Sequence, residues 1–203
     1  MLIRVSLARQ TLTLLDERGE PLRQYPVSTA ANGAGEEEGS GQTPRGRHLI
    51  RAKIGAGCPL YTVFSARRPT GERWSPELDA AQPGRDWILT RILWLSGCEP
   101  GFNRGMRHEQ HPSTNKNFPS VRPEPVEGRG STGSPRTELA DGENQAPPVC
   151  VDTMRRYIYI HGCGETAPMT APRSHGCIRM KNRDVLELFD LTPVYTQVEI
   201  GEE

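Results

Sequence analysis

Nineteen residues of this chain hold an imidazole, a thiol and a guanidinium: His161-Gly162 ends the run Tyr157-Ile158-Tyr159-Ile160, and Ser174-His175-Gly176-Cys177-Ile178-Arg179-Met180 follows after a short loop. A free thiol titrates near pH 8.5, about as close to neutrality as a nucleophile comes, and a nearby imidazole or backbone donors convert it to thiolate. Cys177 is therefore the candidate nucleophile and His161 the candidate base. A Cys-His hydrolase or transferase also needs donors for the oxyanion. Gly176 carries no side chain, so the chain can turn tightly there and present the Gly176 and Cys177 amides to a carbonyl oxygen. Arg179, two residues past the sulfur, has the planar fork that grips a carboxylate.

The same segment contains a rival constellation. His161-x-Cys163 and His175-x-Cys177 together supply two imidazoles and two thiols, the ligand set of a structural zinc. One intervening residue on an extended strand puts both members of a pair on one face. The spacing is not that of common zinc fingers, and zinc gives no reason for Gly176 or Arg179, so no metal or other cofactor is expected.

Strands must position these groups. Ile3, Val5 and Leu7 alternate with polar residues, as do Leu12 and Leu14, and the turn-forming run Asp16 to Pro21 precedes a further extended segment through Tyr25 and Val27. His48 to Ile54 alternates, and Trp87 to Leu95 is apolar and β-favouring enough to run deep in a sheet. Tyr157 to Ile160 is a short strand that delivers His161 at its end. The one good helix candidate begins at Asn182, read as its cap, with Asp184 in the first turn and Val185, Leu186, Leu188 and Phe189 as an apolar face.

Residues 31–46 hold five glycines and three consecutive glutamates, which predicts an exposed loop. A phosphate loop is excluded, because no Gly-Lys-Ser/Thr follows and Glu36, Glu37 and Glu38 repel phosphate. Residues 106–149 contain seven of the 18 prolines and a single aromatic, Phe118. They cannot bury enough surface to offset ordering, which predicts a low-complexity disordered insertion within one domain spanning 1–203. Within it, residues 118–129 resemble peptides encoded by repetitive palindromic DNA elements of bacteria; a proline-rich ligand for a partner domain is the alternative.

Composition narrows the function classes. Twenty-five basic residues balance 25 acidic ones, so no broad positive field exists to hold nucleic acid. Arg4, Ser6 and Arg9 interrupt the apolar start, which leaves no secretory signal, and no run is long enough to span a bilayer. Cys58, Cys98, Cys150, Cys163 and Cys177 are odd in number and irregularly spaced, which argues against a disulfide framework. His48, His108 and His111 have no neighbours that suggest chemistry, and Trp74, Trp87 and Trp94 read as core or wall residues.

His161-Gly162 with Ser174-His175-Gly176-Cys177-Ile178-Arg179-Met180 resembles the signature of the bacterial L,D-transpeptidases, the YkuD-type catalytic domain. The resemblance extends to the opening strands, the Thr43-Pro44-Arg45-Gly46 turn and Asp86-Trp87-Ile88-Leu89-Thr90-Arg91. It implies a mostly β, sandwich-like domain of two sheets with one or two short helices. It also implies that Cys177 is the nucleophile, that His161 is the base oriented through the Gly162 carbonyl, that His175 supports the loop and the oxyanion site beside Gly176, and that Ser174 lies among the substrate-binding residues. Arg179 would hold a carboxylate of the substrate, a peptidoglycan stem peptide. Such enzymes release D-alanine through a thioester and pass the acyl group to an amine, or to water as a carboxypeptidase, in the periplasm or cell envelope. A catalytically inactive peptidoglycan-binding module is the competing expectation. Cys163 stands where threonine is common in the family and reads as a tolerated small residue; a reversible switching disulfide with Cys177 is the alternative if the sulfurs meet the distance requirement.

Overall fold

The computed structural model describes residues 1–108 and 148–203. Residues 109–147 lie outside the described residues, and with them His111, the segment 118–129 and most of the proposed insertion.

Twelve strands and two helices follow one another in the described chain, so the protein is mostly β. They are β1 (Leu2–Ser6), β2 (Thr11–Leu15), β3 (Pro21–Pro26), β4 (Gly46–Ile54), β5 (Thr62–Ser65), β6 (Arg68–Arg73), α1 (Pro76–Ala81) and β7 (Ile88–Gly97). The remainder are β8 (Met106–Arg107), β9 (Val149–Cys150), β10 (Tyr159–Gly162), β11 (Ile178–Met180), α2 (Asn182–Leu191) and β12 (Gln197–Gly201). Ten strands form one sheet, ordered β11-β10-β7-β4-β12-β1-β2-β3, with β5 branching from β7 and β6 pairing β5; β8 and β9 make the second, two-stranded sheet. Two sheets and two short helices agree with the expected class, although nearly all the strands belong to one of the sheets.

Alternation does what the opening residues predict. Ile3, Val5, Leu12 and Leu14 are buried together with Leu93, Leu95, Ile160, Ile178 and Val198. Val185, Leu188 and Phe189 of α2 cover them, so the apolar stripe of that helix closes the main core. Strand β7 is buried on both faces, since Leu93 and Leu95 join this core while Leu89 and Ile92 pack in separate clusters with Trp74, Trp87, Phe64 and Tyr159. That double burial explains its near-continuous apolar sequence.

Several expectations change. Asn182 is the first residue of α2 and does not cap it; Lys181 holds that position without a side-chain bond. The Asn182 side chain is fully buried, donates to the Cys163 carbonyl at 2.7 Å and accepts from Thr90 Oγ1 at 2.6 Å. The second helix, α1, is not marked by the residue pattern; Ser75 caps it, accepting from the Leu78 amide at 3.3 Å, but it buries no residue of its own and so shows no apolar period. The loop 31–46 is packed: Glu36 is buried against Arg45 at 2.8 Å, and Thr43 is buried beneath the cysteine loop. Met106 and Arg107 pair with Cys150 and Val149, so the first two residues and the last residue of the composition-defined insertion belong to a ladder. His48 is buried with its ring between the Gly46 carbonyl (3.0 Å) and Thr153 Oγ1 (3.1 Å), and burial lowers its pKa to about 4.

Candidate active site

Strands β10 and β11 run side by side in parallel, with His161 opposite Arg179 and Ile160 opposite Ile178. One step back along this register places Cys177 beside Tyr159, and the Tyr159 amide donates to the Cys177 sulfur at 3.4 Å. Side chains two apart on a strand share a face, so Cys177, Arg179, Tyr159 and His161 all point to the same side of the sheet. Cys177 and His161 are diagonal neighbours across the ladder.

His161 is fully buried inside β10 rather than just past its end. Its Nδ1 lies 2.8 Å from the Gly162 carbonyl, which can only accept, so the ring carries its proton on Nδ1. Nε2 is left as a buried lone pair with no hydrogen-bond partner among the described residues. Burial lowers the pKa of this imidazole; Asp86 and the Gly162 carbonyl oppose the shift without cancelling it. Gly162 is forced: a Cβ there would meet the Asn182 amide oxygen and stand 2.8 Å from the Leu89 carbonyl.

The thiol of Cys177 donates to the Tyr157 carbonyl at 3.5 Å. It therefore rests on the chain entering β10, and no hydrogen bond joins it to His161. Burial raises its pKa to about 12, against the opposing pull of the Tyr159 amide. The resting pair is a neutral thiol beside a neutral imidazole.

The loop ahead of Cys177 is held from below. Ser174 Oγ donates to the Cys177 carbonyl at 2.5 Å and accepts from the Gly176 amide at 3.2 Å, while Thr43 Oγ1 donates to the Gly176 carbonyl at 3.0 Å. Gly176 has φ +131°, and a Cβ would lie 2.9 Å from Ile158 Cδ1 and 3.2 Å from the Gln42 carbonyl, so only glycine fits the turn. This bonding commits the Gly176 amide to Ser174 and takes it out of the expected oxyanion pair.

Two further residues depart from expectation. His175 is exposed, 80% for its side chain, and stands 3.6 Å from Asp86 at the rim instead of beneath the loop. Arg179 is only 13% exposed; its guanidinium donates to Asp86 Oδ1 at 2.7 Å and to the Arg173 carbonyl at 3.1 Å, so it is not free to grip a substrate carboxylate. Asp86 is the residue that sequence reasoning did not single out. Burial disfavours its charge, yet His161, Arg179 and His175 outweigh that and hold its pKa below the ordinary carboxylate range. Its only sequence signal is an acidic residue at the head of an apolar strand run.

Cys163 is buried, with its thiol toward the Met180 carbonyl at 3.5 Å. It lies four residues beyond Tyr159, about 13 Å along an extended strand, which exceeds disulfide reach from Cys177. Among the described residues all five cysteines are free. His175 at the rim and Cys163 in the interior likewise fail to converge with His161 and Cys177 on one metal position, and no cluster of three such ligands occurs among the described residues.

A cavity of about 520 Å³ opens over Cys177, lined by Arg67, Asp86, Ile88, Tyr157, Tyr159 and His175. Among the described residues no helix is long and apolar enough to cross a membrane.

The sequence profile of the YkuD L,D-transpeptidase catalytic domain matches residues 1–200. No curated protein matches the chain. It is similar to a solved L,D-transpeptidase from Xylanimonas cellulosilytica at 16% identity, over 98% of this chain and 59% of that one, with TM-score 0.45. For an L,D-transpeptidase from Mycobacterium smegmatis the values are 16%, 98%, 58% and 0.45. For L,D-transpeptidase 3 from Mycobacterium tuberculosis they are 12%, 99%, 60% and 0.47. This chain thus spans less than two thirds of the length of each of these structures. With the profile matched from the first strand to the last, through both halves of the Cys-His segment, the chain belongs to the YkuD L,D-transpeptidase catalytic domain family.

Proposed function

We propose that the chain is a peptidoglycan L,D-transpeptidase that works through a Cys177 thioester. The carrying observation is the unpartnered Nε2 of His161, buried on the same sheet face as Cys177 while Nδ1 is committed to the Gly162 carbonyl. A lone pair left bare in a buried site is costly unless something comes to it. The Cys177 thiol, rotated off the Tyr157 carbonyl, is that partner.

The reaction then follows from the chain's own groups. Substrate entering the cavity displaces water, and the thiol passes its proton to His161 Nε2 as sulfur attacks the carbonyl between the diamino acid and the terminal D-alanine of a stem peptide. With the Gly176 amide spent on Ser174, the Cys177 amide is the donor left in this loop for the developing oxyanion. The carbon-nitrogen bond breaks, His161 returns the proton to the departing amine, and D-alanine leaves. An acceptor amine attacks the thioester, loses its proton to His161, and takes the acyl group as the sulfur-carbon bond breaks and the thiol reforms. Water as acceptor turns the same cycle into carboxypeptidase action. Asp86 keeps the imidazole more basic than burial alone allows, and Arg179 holds Asp86 in place. No cofactor takes part in this scheme. The substrate places the protein in the cell envelope.

Intact-mass measurement after exposure to a carbapenem tests the proposal, because a strained lactam carbonyl acylates an activated cysteine without needing an acceptor. Wild-type protein should gain one adduct, and Cys177→Ala none. The resting thiol, neutral and turned away from the imidazole, favours a second reading, a peptidoglycan-binding module without activity. Folded wild-type protein that stays unmodified and releases no D-alanine from a tetrapeptide would establish that reading.

A further inference from the structure

With Arg179 consumed by Asp86, the cation that faces the cavity is a different one. Strands β5 and β6 are joined by two residues, Ala66 and Arg67, and both have positive φ, +46° and +67°. This is the mirror-image turn that suits a hairpin, normally built from Asn and Gly. An arginine held there, at a cost in backbone strain, marks a side chain placed for use.

The side chain leans on an aromatic wall. Its guanidinium carbon lies 4.8 Å from the ring centres of both Trp94 and Tyr157, and Nη1 donates to the Tyr159 hydroxyl at 3.3 Å. Trp94 stacks on Tyr157 at 6.0 Å and meets Tyr159 edge-on at 5.9 Å, so the wall is itself fixed. Among the described residues no carboxylate pairs with Arg67, in contrast to Arg45 with Glu36, Arg85 with Glu72 and Arg179 with Asp86. Asp86 lines the same cavity, but Arg179 already compensates its charge. The uncompensated charge over Cys177 is therefore positive.

We propose that Arg67 is the carboxylate anchor of this site and holds the terminal carboxylate of the departing D-alanine. The inference rests on the transpeptidase reading for the identity of its ligand. In that substrate the carboxylate is separated from the scissile nitrogen by a single carbon, so a cation in the cavity that contains Cys177 is within one residue's reach. Aromatic faces hold the guanidinium plane while leaving donors on its edge for a bidentate contact.

Two measurements separate the anchor from the reaction it serves. The first compares alkylation of Cys177 by iodoacetate and by iodoacetamide, mapped by peptide mass spectrometry; the reagents differ in one negative charge. Arg67→Gln should lower the iodoacetate-to-iodoacetamide rate ratio about tenfold or more, and Arg67→Lys should retain part of it. The second measures D-alanine release from a tetrapeptide with a free or an amidated C-terminus. Wild-type protein should favour the free acid by about ten- to a hundredfold, and Arg67→Gln should lose that preference. An unchanged reagent ratio in both variants, or an undiminished free-acid preference in Arg67→Gln, overturns the anchor. A wild-type chain that releases no D-alanine, yet whose reagent ratio falls in Arg67→Gln, keeps the anchor and discards the transpeptidase reading.

Discussion

A neutral resting thiol makes a quantitative demand on the chemistry of Cys177. Its pKa is pushed to about 12 by burial, against about 8.5 for a free cysteine. At pH 8 the thiolate fraction is then about 1 in 10,000 instead of about 1 in 4, a deficit of about 2,000-fold. A thiolate of higher pKa is the better nucleophile; with a Brønsted slope of 0.4–0.5, the 3.5-unit rise recovers about 25- to 60-fold. Iodoacetamide should therefore modify Cys177 about 50-fold more slowly than a cysteine in the denatured chain, before any loss from restricted access. The assay is stopped-time alkylation between pH 6.5 and 10, with Cys177 quantified by mass spectrometry and the denatured protein as reference. The rate should climb about tenfold per pH unit across the range without levelling. A plateau with a midpoint below pH 8, at rates matching the denatured chain, would show a thiolate-imidazolium pair in the resting protein and refute the reasoning.

Four further outcomes are expected. Asn182→Ala leaves the Thr90 O–H without its acceptor and the Cys163 carbonyl without its donor in the core, costing about 2–4 kcal/mol in urea unfolding; a loss below about 1 kcal/mol would remove Asn182 as the pin of that loop. His48 titrates at about 4 when folded and near 6.5 when unfolded, so its contribution is full above pH 6.5 and fades as pH falls from there to 4. Replacing it in His48→Gln should flatten the stability curve in that window by about 3 kcal/mol, read from denaturant melts at pH 7 and pH 4. Asp86→Asn removes the charge that sustains the basicity of His161, so D-alanine release should fall at least tenfold in kcat, with the acid limb of its pH profile moving lower; an unmoved limb would deny Asp86 that role. Cys163→Ala should leave the response of activity to mild oxidants as it is in wild type, because Cys163 faces Met180, out of reach of Cys177.

Much of the framework was legible because its determinants are local. The alternation of Ile3, Val5, Leu12 and Leu14 marks a half-buried sheet, and the run from Ile88 to Leu95, apolar except for Thr90 and Arg91, marks a strand covered on both faces. What stayed hidden depends on partners distant in sequence. Asn182 has the composition of a cap, but Thr90 and Cys163 claim its amide; Glu36 reads as solvated until Arg45 encloses it. Strand β6 carries Pro69 and Gly71 and buries no residue, so neither alternation nor propensity announces the hairpin it makes with β5. The neutralisation of Arg179 by Asp86, 93 residues away, and the seating of Arg67 on an aromatic wall are products of the assembled sheet.

Strand β12 lies between β4 and β1, parallel to the latter, although it is the last strand of the described chain in sequence. Until it arrives, the nascent sheet exists as two halves, one ending at β4 and the other at β1, each presenting an open row of amides and carbonyls. Such edges recruit other chains. Closure must await β12, so two hydrogen-bonding edges stay open until every other strand of the domain is in place, and the half-finished sheet is the form of this fold most prone to pair with other chains.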